Sequence, residues 1–341
     1  MNYDNFDPNG VGVNNGNVFG FPYTLEDAEI VIIPIPWDAT ASFGKGTSNG
    51  PQRILEASPQ LDFYHPKFPE AWKTRIAMTP ISQEWKKIND DYCLKAIEYI
   101  QFLEDGGNIN KQPEFKNTLV EIAEAQDALA LNLMEKALDF RKQGKLVAVL
   151  GGEHSTPYGL IKALAQQEEF GILQIDAHAD LRDAYEGFQQ SHASIMFNAL
   201  KLEGVKKLVQ VGIRDVAQSE VDLIAQDNRI STYFDWDLKD AQYEGKTWAQ
   251  QVKDIIAELP QKVYVSFDID ALKPYLCPNT GTPVAGGFEL EEVTYLLFEL
   301  ANSGKEIIGF DLNEVGDDEW DANVGARALY NLCIAAKKSK R

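Results

Sequence analysis

Three of the four histidines in this 341-residue chain, His154, His178 and His192, fall within 39 residues. Two of them stand among acids or glycines in patterns that could do chemistry. Asp176, His178 and Asp180 are spaced i, i+2, i+4, and Asp268 and Asp270 repeat the i, i+2 spacing. Where a strand continues, residues so spaced point the same way. Several ligand-type side chains on one face repel one another, or stay poorly solvated, without a cation between them. His154 follows Gly151-Gly152, a turn that lets backbone come close to a site. One such triplet alone reads equally well as a solvated polar loop; the combination is what points to metal. Two imidazoles and four carboxylates are enough for two divalent cations. A carboxylate-rich, thiolate-free set suits Mn²⁺ or Mg²⁺, and the imidazoles favour a transition metal. Two such ions about 3.5–4 Å apart lower the pKa of bound water and supply a nucleophile at neutral pH.

These residues need a frame that brings them together. Short β-branched runs at 29–35, 146–150, 171–176, 207–213, 262–268 and 306–312 predict strands. Helical periodicity fills 117–143, 157–168, 218–227, 246–258 and 289–302. Apolar strands alternating with helices predict an α/β fold, a parallel sheet covered on both faces. The chemistry-bearing residues follow the strands at 146–150, 171–176, 262–268 and 306–312, and ligands of such sheets bind beyond the carboxyl ends of strands. Residues 1–28, rich in Asn, Gly and Pro at their start, are expected to form a loose arm. Residues 29–341 are expected to form a single domain, with an insertion at about 62–116 that carries one helix near 84–104.

Composition narrows the function. Lys plus Arg is 32 and Asp plus Glu is 52, for a net charge of −20. Nucleic acid and anionic membrane both require a basic face, so neither is an expected partner; a cationic substrate is compatible. No apolar run approaches the ~18 residues of a membrane span, and MNYDNFDPNG has no signal-peptide character. Cys93, Cys277 and Cys333 form no CxxC pair, which reads as reduced thiols in a cytoplasmic protein.

The sequence resembles the ureohydrolase superfamily of arginases, agmatinases, formimidoylglutamases and guanidino-acid hydrolases. The resemblance spans about 29–337, poorest at 62–116. It rests on GGEHS at 151–155, DAHADLRD at 176–183 and SFDID at 266–270, in the family's order. SHAS at 191–194, GIRD at 212–215, TGTPVAGG at 280–287, GFDLNEV at 309–315 and IPIPWDATASFGKGTSNGP at 33–51 also fit. It implies a three-layer α/β/α, arginase-like fold and two Mn²⁺ per chain. His154, Asp176, His178, Asp180, Asp268 and Asp270 match the six ligand positions, with Asp176 and Asp268 as bridging carboxylates. His192 matches the proton-shuttling histidine, a role suited to an ordinary imidazole pKa near ~6.5. Glu314 matches the glutamate that grips the guanidinium, and Asp180 would carry a proton to the leaving amine. The resemblance also implies a homo-oligomer, trimer or hexamer.

Within the superfamily the loop DAHADLRDAYEG resembles that of agmatinases, which convert agmatine to putrescine and urea. Arginases place an Asp where this chain has Ala217, removing a contact to an α-amino group. Against agmatinase stand Lys273-Pro274, Gly316-Asp317 and Asp215, each a departure from the usual residues. Arginase, formimidoylglutamase and guanidinobutyrase remain open. So do a different metal hydrolase and a catalytically silent relative serving as sensor or scaffold. Asp311 reads as structural, Arg182 and Asp183 as a local salt link or solvated pair, and Met134, Met196 and Phe63-Tyr64 as packing.

Overall fold

The computed structural model describes residues 6–340. Valine and isoleucine runs too apolar to face water on either side become the strands of one sheet. They are β1 (Ile30–Ile35), β2 (Ile76–Met78), β3 (Leu146–Gly151), β4 (Phe170–Ile175), β5 (Val205–Ile213), β6 (Ile230–Phe234), β7 (Lys262–Asp268) and β8 (Glu306–Asn313). Their order is β2-β1-β3-β8-β7-β4-β5-β6, and every neighbouring pair is parallel.

Alternation along each strand divides the core into two layers. Ile30, Ile32, Leu146, Ala148 and Leu150 face one side, while Val31, Ile33, Val147 and Val149 face the other. The first side is covered by α1 (Gly50–Ala57), α7 (Asp235–Tyr243), α8 (Trp248–Glu258), α9 (Leu290–Asn302) and α10 (Glu319–Ser339). The second is covered by α2 (Gln83–Glu104), α3 (Pro113–Lys142), α4 (Tyr158–Ala165), α5 (Ile195–Leu200) and α6 (Gln218–Gln226). This is the three-layer α/β/α arrangement expected from the sequence. Among the described residues no helix is long and apolar enough to cross a membrane.

Several segments differ from the sequence reading: β6, α1, α5, α7 and α10 stand where no element was expected, and two further regions depart from it. Residues 17–23 are not a loose arm: Val18, Phe19 and Phe21 are fully buried. Asn17 ties them to the sheet edge, its Oδ1 accepting from Met78 N at 2.9 Å and its Nδ2 donating to Phe21 O at 3.0 Å. Aromatic burial here outweighs the loop-forming composition around it. Residues 1–5 of the expected arm lie outside the described residues. The 62–116 region holds α2 at the expected place, capped by Ser82 accepting from Trp85 N. It also holds β2, a three-residue edge strand in register with β1 (Ile30↔Ile76) and too short to leave a periodic signal.

Candidate metal centre

The four middle strands of the sheet, β3, β8, β7 and β4, are the four whose carboxyl ends carry the singled-out residues. After β3 the chain turns through Gly151 and Gly152. A Cβ on Gly151 would lie 1.8 Å from Asn313 Oδ1, and one on Gly152 would lie 2.0 Å from Trp37 O. Only glycine fits both places, and the turn it permits directs His154 inward.

His154 is buried, and its orientation is set from behind. Ser266 donates its single hydroxyl proton to Asp311 Oδ1 at 3.0 Å, so His154 Nε2, 2.9 Å from Ser266 Oγ, must be the donor in that contact. Nδ1 then faces Asp176 Oδ2 at 3.0 Å, Asp180 Oδ2 at 2.9 Å and Asp268 Oδ2 at 3.3 Å. It has no hydrogen-bond partner. A lone pair ringed by three carboxylates requires something positive between them. Without a metal that can only be a proton: burial opposes the charge, yet the three aspartates outweigh it and raise the histidine well above its ordinary pKa. Burial and the nearby Asp270 and Asp176 likewise raise Asp268 well above the carboxylate range, and burial with Asp176 lifts Asp180 to about 7.

His178 completes a second group. Its Nδ1 lies 2.9 Å from Asp270 Oδ2 and 3.7 Å from Asp176 Oδ1. The ligand atoms of His154, Asp176 and Asp268 all lie within 4.8 Å of one another, as do those of Asp176, His178 and Asp270. Asp176 belongs to both groups; Asp268 belongs to one, and Asp180 joins through His154. The orphaned Nδ1, the mutual crowding of carboxylates and the hard-donor chemistry all fit divalent cations.

Asp180 and Glu314 are two of only four described non-glycine residues with positive φ, at 54° and 62°. Such backbone persists only where its surroundings hold it. Asp180 O accepts from Met196 N and Phe197 N at the start of α5, and Glu314 N donates to Gly152 O. Glu314 Oε1 accepts from His154 N at 2.9 Å, while Oε2 is buried without a partner. Burial and then Glu153 push this carboxyl well above its ordinary pKa.

A cleft of about 140 Å³ opens beside the aspartates, lined by His178, Asp180, His192, Ser42, Arg182 and Asp215, among others. His192 Nδ1 lies 3.1 Å from Thr40 O, and Nε2 lies 3.1 Å from Ser42 Oγ. A carbonyl can only accept, so Nδ1 carries the proton. Burial, then the nearby His178, push the imidazole down to about 3, not the ordinary value expected from the sequence, so it is neutral at pH 7. Arg182 lies over the Tyr185 ring at 4.7 Å, with Nε 3.8 Å from Glu220. Asp183 turns away toward Lys201 at 3.6 Å. Two of the departures from the agmatinase pattern are engaged elsewhere: Lys273 pairs with Glu289 at 2.7 Å and Asp317 with Arg53.

The sequence therefore marked all six clustered acids and histidines, with His192 and Glu314 beside them. It did not mark Ser42, Thr40, Glu153, Ser266 or Thr282. All five lie inside motifs noted above, but none has a spacing signature of its own.

Comparisons with known proteins give the chain its family. The N(1)-aminopropylagmatine ureohydrolase of Synechocystis is 32% identical over 292 residues, covering 85% of this chain and 82% of that protein. The agmatinase of Bacillus anthracis is 29% identical over 296 residues, covering 86% and 85%. The agmatine ureohydrolase structure of Thermoplasma volcanium superposes with a TM-score of 0.68 at 21% identity, covering 93% of this chain and 92% of that one. A Trypanosoma cruzi formiminoglutamase structure with Mn²⁺ gives 0.69 at 15% identity, covering 92% and 94%. The family model described as "Arginase family" matches residues 28–334, nearly the whole chain, and the chain belongs to that family.

Proposed function

We propose that this protein hydrolyses a small cationic guanidino compound, agmatine first among them, to urea and an amine, using two Mn²⁺ per chain. The observation that carries this reading is the buried, unpartnered Oε2 of Glu314 beside two ligand groups that share Asp176. A buried carboxylate oxygen with no donor calls for a cation, and a planar guanidinium supplies donors that match it.

His154, Asp176, Asp180 and Asp268 would hold one ion, and His178 and Asp270, with Asp176, the other. Bound there, the ions would neutralise the carboxylates and would supply water acidic enough to act as a nucleophile near pH 7. The protein's own groups do the rest. Glu314, fixed by His154 N through Oε1, orients the guanidinium with Oε2. Asp180, held by the backbone of α5, passes a proton to the departing amine nitrogen. His192, neutral at pH 7 because it is buried, would relay protons between the cleft and bulk water through Nε2, which faces Ser42, by taking a proton up only transiently. Water adds across the carbon–nitrogen bond, so one guanidine and one water give one urea and one amine.

The distal end of the substrate meets Asp215, which carries no ion pair among the described residues, whereas Arg182 is already matched by Glu220. That balance favours a second positive charge. An aminopropyl-extended agmatine is the second reading, favoured by the name of the 32%-identical relative. The test is urea release by Mn²⁺-loaded protein from agmatine, N(1)-aminopropylagmatine, arginine and guanidinobutyrate, and release of glutamate with formamide from formimidoylglutamate. Urea from either of the first two substrates is expected. No urea from any guanidine would overturn the reading.

A further inference from the structure

We propose that Gln126, on α3, is a positioning residue that ties together the two loops flanking the cleft and thereby fixes where His192 stands. One loop, 38–46, follows β1; the other, 181–192, follows Asp180. Each contributes to the cleft wall, and neither belongs to a regular element for most of its length.

Gln126 is 4% exposed, and its amide nitrogen is the junction. Nε2 donates to Gln190 O on one loop and to Thr40 Oγ1, at 3.3 Å, on the other. The hydrogen count agrees with this. The amide has two protons for two acceptors. Gln190 O can only accept. Thr40 spends its hydroxyl proton on Glu153 Oε1, so the contact from Gln126 must fall on its lone pair. The orientation of the amide is therefore determined, and the reversed orientation would set two oxygens against each other.

Thr40 is also the residue whose carbonyl receives His192 Nδ1, and Gln190 is two residues before His192. Both contacts of Gln126 thus land within two residues of an atom that holds the imidazole. Other anchors from α2 and α3 bear on the same loops. Asn89 and Asp38 exchange two hydrogen bonds at 2.7 and 3.0 Å, and Tyr99 OH donates to Glu186 O at 2.8 Å. Each of these reaches a single loop. Among the described residues Gln126 is the α2–α3 side chain whose one atom reaches both.

The kinetic arm of the test rests on the guanidine-hydrolase reading above; the spectroscopic arm does not. Gln126→Met keeps the length of the side chain and removes both donors. Histidine-selective ¹⁵N labelling of the Mn-free protein reports which ring nitrogen of His192 carries the proton, with the signal assigned by its loss in His192→Ala. In the parent protein it should report the Nδ1–H form; in Gln126→Met the Nε2–H form should appear or the signal should broaden. Asp127→Ala, which removes only the contact to Gln190 Nε2, should leave it unchanged. In the holoenzyme, Gln126→Met should lower kcat about tenfold with KM changed less than about twofold, the pattern of a misplaced reacting group. The double variant Gln126→Met/His192→Ala should be no slower than His192→Ala alone. An unchanged His192 signal in Gln126→Met, or losses that multiply in the double variant, would overturn the proposal. A changed signal in a protein that hydrolyses no guanidine would instead support the tie and overturn only the function. If Gln126→Met fails to fold, Thr40→Val, which removes one of the two acceptors and keeps the carbonyl, carries the same spectroscopic expectation.

Discussion

Glu314 divides its carboxylate between two tasks: Oε1 accepts the backbone N–H of His154 at 2.9 Å, and Oε2 is buried and unpaired. The residue that would hold the substrate is thereby fastened to the residue that would hold a metal. Glu314→Gln keeps the shape and the first contact but removes the charge. A hydrogen bond to a charged partner contributes about 1.5–3 kcal/mol, so kcat/KM for agmatine should fall by one to two orders of magnitude. Thermal stability should hold or rise, because a desolvated charge has gone. Kinetics and a melting curve on the same preparation check both halves; unchanged kcat/KM would remove Glu314 from the substrate site.

Asp176 is shared by both ligand groups, so Asp176→Ala should lose tight binding of both ions and all activity. Elemental analysis after Mn²⁺ loading should give two ions per chain in the parent protein and fewer than one in the variant. Chelator treatment of the parent should lower its melting temperature, and Mn²⁺ should restore it, since an ion that binds only the folded state stabilises it. One ion per chain in the parent would end the binuclear proposal.

Ser266 stands between Asp311 and His154 and sets which nitrogen of the imidazole faces the aspartates. Ser266→Ala frees that ring to turn. Metal affinity should drop about 10–100-fold, as is usual when the partner behind a ligating histidine is lost. Competition with a chelator of known affinity measures it, and an unchanged affinity would mean that packing alone orients the ring.

Agmatine should be hydrolysed with a higher kcat/KM than arginine. The basis is Asp215 in the cleft, which has no ion pair among the described residues, and Arg182 already opposite Glu220 at 3.8 Å. Ala217 offers no side-chain acceptor to an α-amino group, and its backbone N–H is taken by Glu220 Oε2 at 2.9 Å. Asp215→Asn should raise KM for agmatine several-fold with kcat nearly unchanged. Parallel steady-state runs on both substrates decide; a preference for arginine would show that Arg182 turns inward to meet the carboxylate.

All three cysteines should be silent to thiol reagents in the folded protein at pH 8 and should react on denaturation. Burial pushes the Cys93, Cys277 and Cys333 thiols well above their ordinary range, with Asp38 adding to the effect at Cys93. The raised values keep the nucleophilic thiolate scarce until pH rises far above 8. Rapid labelling of the native chain would contradict this.

The middle of the sheet was legible in the sequence because β3, β4, β7 and β8 are buried on both faces and therefore read as largely apolar runs, each with acidic residues at or just beyond its end. β2 was not, since three residues make no pattern. Nor was α10, where only the narrow stripe Asn323, Arg327 and Asn331 breaks an otherwise buried run from Ala322 to Ala336. The six acids and histidines of the centre declared themselves by type and spacing. The left-handed backbone of Asp180 and Glu314 could not, because neither residue type requires it. The roles of Gln126, Thr40 and Ser266 were invisible for a different reason, even though the last two sit inside quoted motifs: they are contacts across 64, 113 and 112 positions of chain.

The last of the eight strands along the chain, β8, lies between β3 and β7 in the middle of the sheet. As the chain emerges from a ribosome, β1 and β3 can pair early, and β4, β5, β6 and β7 can follow, but the two halves have no common strand until residues 306–313 arrive. Until then β3 and β7 each present an open edge of unpaired backbone, a template for wrong pairing. His154 belongs to one half and Asp176, Asp268 and Asp270 to the other, so no nascent fragment short of β8 assembles the centre. Synthesis of this chain thus passes through a late, aggregation-exposed interval, and ion loading waits for its end.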